Sequence, residues 1–218
     1  MDITQVTIDT VFQLSIAILL SIFFWLLTRV VVAVQRKEPE GYLQWVGFTP
    51  IGAASLRLTL LVMSFLLVLS VFTSVLGPLR DISSAPGTVI YQVQQLGIAP
   101  ETFVIIFIIA VFKTGLSEEI VFRGIIAKRL INWFGFQVGN LVQALIFMAA
   151  HIPLLFLAGP TELHAGIVAL LVTRMTLSGW LLGWLCHRSG GSILPCWILH
   201  SSMNAIFYPI LAFTPAVL

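Results

Sequence analysis

An all-α, polytopic bundle of about six membrane helices is the fold class this sequence predicts, and three observations predict it. The 218 residues are 59% hydrophobic and only 9% charged, against roughly 25% charged in a soluble domain. Mean hydropathy is +1.05. Uninterrupted apolar runs recur at the ~20-residue length that crosses a bilayer core. A net charge of +2, spread along the chain, excludes the basic patch of a nucleic-acid binder. The implied partner is the lipid bilayer. Connectors are short, and no internal repeat or low-complexity tract is present. Residues 1–218 therefore read as a single transmembrane domain.

The first run, Val11–Val34, lacks the preceding basic segment of a signal peptide and exceeds its apolar length, so it reads as a retained membrane helix. The second is Leu58–Leu76. Between them the 35–57 connector, with Tyr42, Trp45 and Phe48 among Gly and Pro, reads as an interfacial segment of an aromatic belt. The 77–101 connector is Ser/Gly/Pro-rich and then amphipathic through Tyr91–Leu96. Thr102–Arg123 and Val138–Leu157 form the third and fourth runs, and Ala165–Leu185 and Ile193–Phe213 the fifth and sixth.

Lys and Arg set the expected orientation. With the N-terminus outside, Arg36, Lys37, Arg57, Lys128, Arg129 and Arg188 collect on the cytosolic side, and Arg80 alone lies outside with Asp2, Asp9, Asp81, Glu101 and Glu162. Cys186 and Cys196 fall near a cytosolic helix end, where a disulfide would not persist, and read as buried thiols.

The third run holds SEEIVFR, Ser117–Arg123, with two carboxylates and a guanidinium. Each charge opposes insertion by roughly 2.5–3.5 kcal/mol, so intramembrane charges call for a functional reason. Glu119 and Arg123 stand at i and i+4 with the acid first, the favourable order for a pair. Glu118 projects about 100° away. This divides the segment into a structural pair and a reactive carboxylate; a cluster that only fixes helix packing is the alternative. His151 follows Phe147 by one turn in the fourth run, and His200 precedes Asn204 by one turn in the sixth. At ~1.5 Å per residue from each cytosolic helix end, Glu118, His151, His200 and Asn204 occupy one layer.

The ordered set Glu118-Glu119-xxx-Arg123, Phe147-xxx-His151 and His200-xxx-Asn204 resembles the CPBP family of intramembrane proteases, which includes the type II CAAX prenyl endopeptidases and the Abi proteins of bacteriocin processing and immunity. The resemblance covers about residues 100–210, leaving 1–99 as two accessory helices and loops. It implies an endopeptidase acting on a membrane-embedded or lipidated peptide or protein. Glu118 would be the general base on water, oriented with His151. His200 and Asn204 would donate to the oxyanion, and Glu119, Arg123 and Phe147 would support the site. No cofactor is favoured by that scheme. A zinc hydrolase built on His151, His200 and Glu118 stays open, although HExxH is absent. A catalytically silent scaffold or immunity factor, and a proton-relay transporter using Glu118 and His151, are the non-protease readings. The short chain departs from the longer eukaryotic prenyl endopeptidases, which leaves prenylated substrates an open question. The expected place is a bacterial plasma membrane, with the site in its cytosolic half.

Among the remaining polar residues, Arg174 pairs with a carbonyl or Glu, or faces the site and binds a substrate carboxylate; Lys113 is a cavity neighbour of the charged motif. His164 and His187 face solvent, Trp180, Trp184 and Trp197 serve belt or packing roles, and HRSGGS (His187–Ser192) is a tight interhelical turn.

Overall fold

The computed structural model describes residues 2–34, 41–157 and 164–214. Arg36, Lys37 and Glu162, which entered the orientation argument, lie outside them. Every regular element among the described residues is helical, as an apolar environment requires of a chain that must satisfy its own backbone. They are α1 (Ile3–Val34), α2 (Tyr42–Val46), α3 (Ala53–Ser70), α4 (Arg80–Ser83), α5 (Val89–Leu96), α6 (Pro100–Ile108), α7 (Ser117–Glu119), α8 (Lys128–Ala149), α9 (Pro153–Leu157), α10 (Ala165–Arg188) and α11 (Leu194–Phe213). π-Helical turns extend α3 through Val71–Val75 and join α6, α7 and α8 through Ile109–Leu116 and Ile120–Ala127. The chain is an integral membrane protein, and among the described residues four helical segments are long and apolar enough to cross a bilayer: Ile3–Val30, Ala53–Val75, Ala165–Arg188 and Leu194–Phe213.

The two expected runs flanking the charged segment are built differently. The third begins at Pro100, a residue whose missing N–H costs nothing in a first turn, and stays helical past Lys128. Gly135, at φ 75°, breaks the helix. A Cβ on Gly139 would strike the backbone of Leu130 and Ile131, so the chain doubles back here. The fourth run, expected as Val138–Leu157, stops at Ala149. Pro153 disfavours helical geometry at Ile152. His151 consequently stands in a turn at the helix end, where mid-helix placement was expected.

Helix α10 packs on α8 through small residues. Gly179 abuts Ala144 and Phe147, and Gly183 abuts Asn140 and Gln143. Gln143 Nε2 donates to Gly179 O at 2.7 Å, and Asn140 Nδ2 donates to Trp180 O at 3.0 Å. Small residues plus buried amides hold membrane helices together where water provides no hydrophobic drive. The central core joins α2, α3, α10 and α11 around Val46, Leu66, Ile120, Leu185, Ile193 and Leu199.

The 35–57 connector departs from the interfacial reading at Trp45, which is 6% exposed. Arg129 stacks over its ring at 3.5 Å, and Lys128 Nζ donates to its carbonyl at 2.9 Å. Helix α5, at the end of the 77–101 connector, buries Ile90 and Val93, and Ile90 packs against Phe207 and Leu211 of α11. Cys186 and Cys196 are free and buried, as expected of packing thiols. Gly190 and Gly191 take positive φ, and the expected tight turn forms between α10 and α11.

Candidate active site

The charged segment is centred on α7, a short α-helical stretch between two π turns. Each π turn leaves carbonyls out of the ordinary i→i−4 register, and such bulges concentrate at functional sites. Here the freed groups bind the neighbouring side chains. Trp197 Nε1 donates to Val111 O at 2.7 Å, Thr114 Oγ1 donates to Ile109 O at 3.0 Å, and Ser117 Oγ donates to Lys113 O. Helix α11 comes close because residue 115 is Gly; a Cβ there would collide with Ser201 Oγ and Ala110 O.

Glu119 and Arg123 are both fully buried and pair at 3.0 Å, the i,i+4 contact read from the sequence. Arg123 lies over the Phe147 ring at 4.5 Å from its centroid, so Phe147 supports the cation as well as packing on Gly179. Glu119 Oε1 also accepts from His200 Nδ1 at 2.8 Å. Glu118 diverges from this pair, as its 100° offset demands. Its Oε2 lies 4.0 Å from His200 Nε2 and has no hydrogen-bond partner. The two ring nitrogens of one imidazole are thus aimed at two carboxylates.

His151 Nδ1 donates to the Phe147 carbonyl at 2.8 Å, and the two rings are 4.6 Å apart. That bond fixes the tautomer and leaves Nε2 as an acceptor in the neutral ring. His151, His200 and Asn204 line one cavity of about 140 Å³. Glu118 makes no hydrogen bond or ion pair with His151; it reaches the group through His200, and it also lines an opening beside α1 with Gln13 and Ser117. A larger cavity of about 390 Å³, near Lys128 and Gly190, contains none of these residues. Among the described residues no three His, Cys, Asp or Glu side chains form a metal-binding group. The hydrogen bonds at Nδ1 of His151 and His200 leave both Nε2 atoms without one.

Three participants escaped the sequence reading. Thr114 accepts from Asn204 Nδ2 at 2.9 Å and so orients the amide; its place four residues before Glu118 was the available signal. Gln13 Nε2 donates to Ser117 Oγ at 3.1 Å, and Asp9 pairs with Lys113 at 3.6 Å. The helix assigned no role thus contacts the charged segment, and Lys113 turns to Asp9 where a place beside the site was expected. Arg174 was expected either to pair with a carbonyl or Glu or to face the site. It donates to Ser70 Oγ at 3.0 Å, not to a carbonyl or Glu, and lines the cavity with His151, His200 and Asn204. His164 caps α10, and His187 stacks on Phe136 at 4.7 Å.

Compared with protein families, residues 100–206 match the family described as type II CAAX prenyl endopeptidase Rce1-like. The match covers just under half of the chain and supports membership of this family. The match runs from α6 into α11 and contains Glu118, Glu119, Arg123, Phe147, His151, His200 and Asn204, while Asp9, Gln13 and Ser70 lie outside it. The similarity supports peptidase activity, broadly, for this membrane protein. Comparisons with curated proteins and with solved structures return no match.

Proposed function

We propose that this Rce1-like protein is a metal-independent glutamate endopeptidase that cleaves a membrane-embedded or lipidated peptide or protein. The observation that carries the reading is the 4.0 Å between Glu118 Oε2 and His200 Nε2. That separation is too long for a hydrogen bond and leaves room for one tetrahedral carbon whose attacking oxygen lies at Glu118 and whose carbonyl oxygen lies at His200. Glu118 takes a proton from water as the oxygen adds to the scissile carbonyl carbon, with His151 Nε2 accepting the other water proton as a hydrogen bond. The oxyanion receives N–H groups from His200 and Asn204. The C–N bond then breaks while Glu118 returns its proton to the departing amine. His200 Nδ1 donates to Glu119, so Nε2 donates only in the imidazolium form, and that is the form the scheme requires. Glu119 and Arg123 hold His200 and do not touch substrate. The Lys/Arg bias supports an N-terminus outside and a site in the cytosolic half of a bacterial plasma membrane.

The test uses purified protein in detergent and two internally quenched peptides, one ending in S-farnesyl-Cys-Val-Ile-Met and one apolar and unprenylated. Glu118→Gln and His151→Ala are expected to lower cleavage by about 10²–10⁴-fold while thermal unfolding stays near that of the parent. Retained cleavage by Glu118→Gln sinks the mechanism. Exhaustive chelation is expected to leave the rate unchanged, and loss restored by zinc sinks the metal-free form.

A further inference from the structure

Tyr208 has no part in the hydrolysis described above, yet it completes a stripe on α11. His200, Asn204 and Tyr208 follow one another at intervals of four residues, which sets all three on one face of the helix, one turn apart. The first two are the proposed oxyanion donors, and Tyr208 lies just beyond the matched residues 100–206. Its ring packs against the apolar cluster of Ile105 and Ile109 and against that of Ile90, Phe207 and Leu211. Tyr208 and Asn204 line a second cavity, of about 230 Å³. Arg174 and Asn204 line both this cavity and the one of about 140 Å³ that contains His151 and His200.

The phenol hydroxyl has a defined partner. A hydroxyl inside a bilayer is unfavourable unless it is hydrogen-bonded, and that of Tyr208 bonds to the Thr114 side chain. The Thr114 hydroxyl offers one proton and two lone pairs. Its proton goes to Ile109 O at 3.0 Å, and Asn204 Nδ2 donates to Oγ1 at 2.9 Å. One lone pair is left, so Tyr208 O–H is the donor. With all three positions used, the Thr114 hydroxyl cannot turn. Asn204 carries two N–H bonds on Nδ2. One is fixed on Thr114, and the planar amide then fixes the direction of the other, which is the one left for the oxyanion.

We infer that Tyr208 is a positioning residue for the oxyanion donor Asn204, acting through Thr114. The phenol does not touch substrate: its proton lies on Thr114 Oγ1 and holds that oxygen where Asn204 leans on it. His200 is held separately, by Glu119 at 2.8 Å. The inference rests on the peptidase reading and adds to it a residue outside the matched segment.

Tyr208→Phe keeps the ring and removes only the hydroxyl. With the full-length protein in detergent and the quenched peptides, kcat is expected to fall about 3–10-fold, the contribution of one neutral hydrogen bond, at unchanged KM and a near-parental thermal midpoint. In a Thr114→Val background the same substitution is expected to have no further effect, since both changes break one chain of contacts; in a Thr114→Ser background the effect returns. A phenol that touches substrate would matter equally in either background, and a merely structural one would lower the thermal midpoint. Each of those results overturns the inference, as does parental kcat in Tyr208→Phe. A second measurement needs no turnover. The chain has three tyrosines, so protein grown with 3-fluorotyrosine gives three fluorine resonances, and Tyr208→Phe identifies its own by loss. Thr114→Val is expected to move that resonance and to leave those of Tyr42 and Tyr91, while Thr114→Ser leaves all three in place. A Tyr208 resonance that stays put in Thr114→Val, or that moves together with both others, overturns the inference. Absence of any cleavage by the unmodified protein sinks the peptidase reading, and the fluorine shift then still decides whether Tyr208 holds Thr114.

Discussion

Arg123 stands between Glu119 and the Phe147 ring with no exposure to solvent. Removing one partner of such a buried pair leaves an uncompensated charge, which costs about 3–5 kcal/mol. Arg123→Ala is therefore expected to lower the thermal midpoint in detergent strongly, and activity falls because the protein unfolds. Glu118 differs from its neighbour: it is 23% exposed and unpartnered through Oε2, so Glu118→Gln separates activity from stability. If both substitutions destabilise alike, the division of labour between the two glutamates is wrong. Asn204 belongs with Glu118 in this respect. Asn204→Ala is expected to reduce kcat by about 10²–10³-fold, the usual effect of deleting one oxyanion donor, with KM little changed.

At the level of elements, the π turns decide which groups face the cavity. Thr114 uses its hydroxyl proton on Ile109 O and accepts from Asn204, so it is a positioning residue. Thr114→Val should lower kcat with little change in KM, and Thr114→Ser should restore it; equal loss in both would point to packing as the cause. Gly183 bears on the other side of the site. A Cβ there would collide with Asn140 Oδ1 and Gln143 Nε2, separating α10 from α8 and displacing Phe147. Gly183→Val is expected to destabilise by more than Gly183→Ala, as read by thermal unfolding. Run length and hydropathy made most helices legible in the sequence, and i,i+4 spacing made the Glu119–Arg123 pair legible. The end of α8 at Ala149 and the π turns were not, because both depend on which carbonyls find partners on other helices. Spacing alone therefore placed His151 inside a helix and gave Thr114 no role.

Taken whole, the molecule exposes a broad apolar surface in which Phe12, Leu19, Phe23, Leu61 and Phe72 are each more than half exposed. Lipid is the solvent that accepts such a surface, so the protein should remain in the membrane pellet after alkaline carbonate or high salt. Release into the supernatant would contradict the integral reading. Helix α1 buries little of itself and is tied to the site through Asp9–Lys113 and Gln13–Ser117. Composition, run length and charge placement by themselves determined an all-α membrane protein, and they singled out Glu118, His151, His200 and Asn204, because every unpaired polar group in a bilayer must be justified. Which groups meet was decided only by tertiary structure. His200 lies between two carboxylates, Asn204 rests on Thr114, and Arg174 spans two cavities, since contacts between helices depend on crossing, bulges and small-residue packing that no single helix encodes.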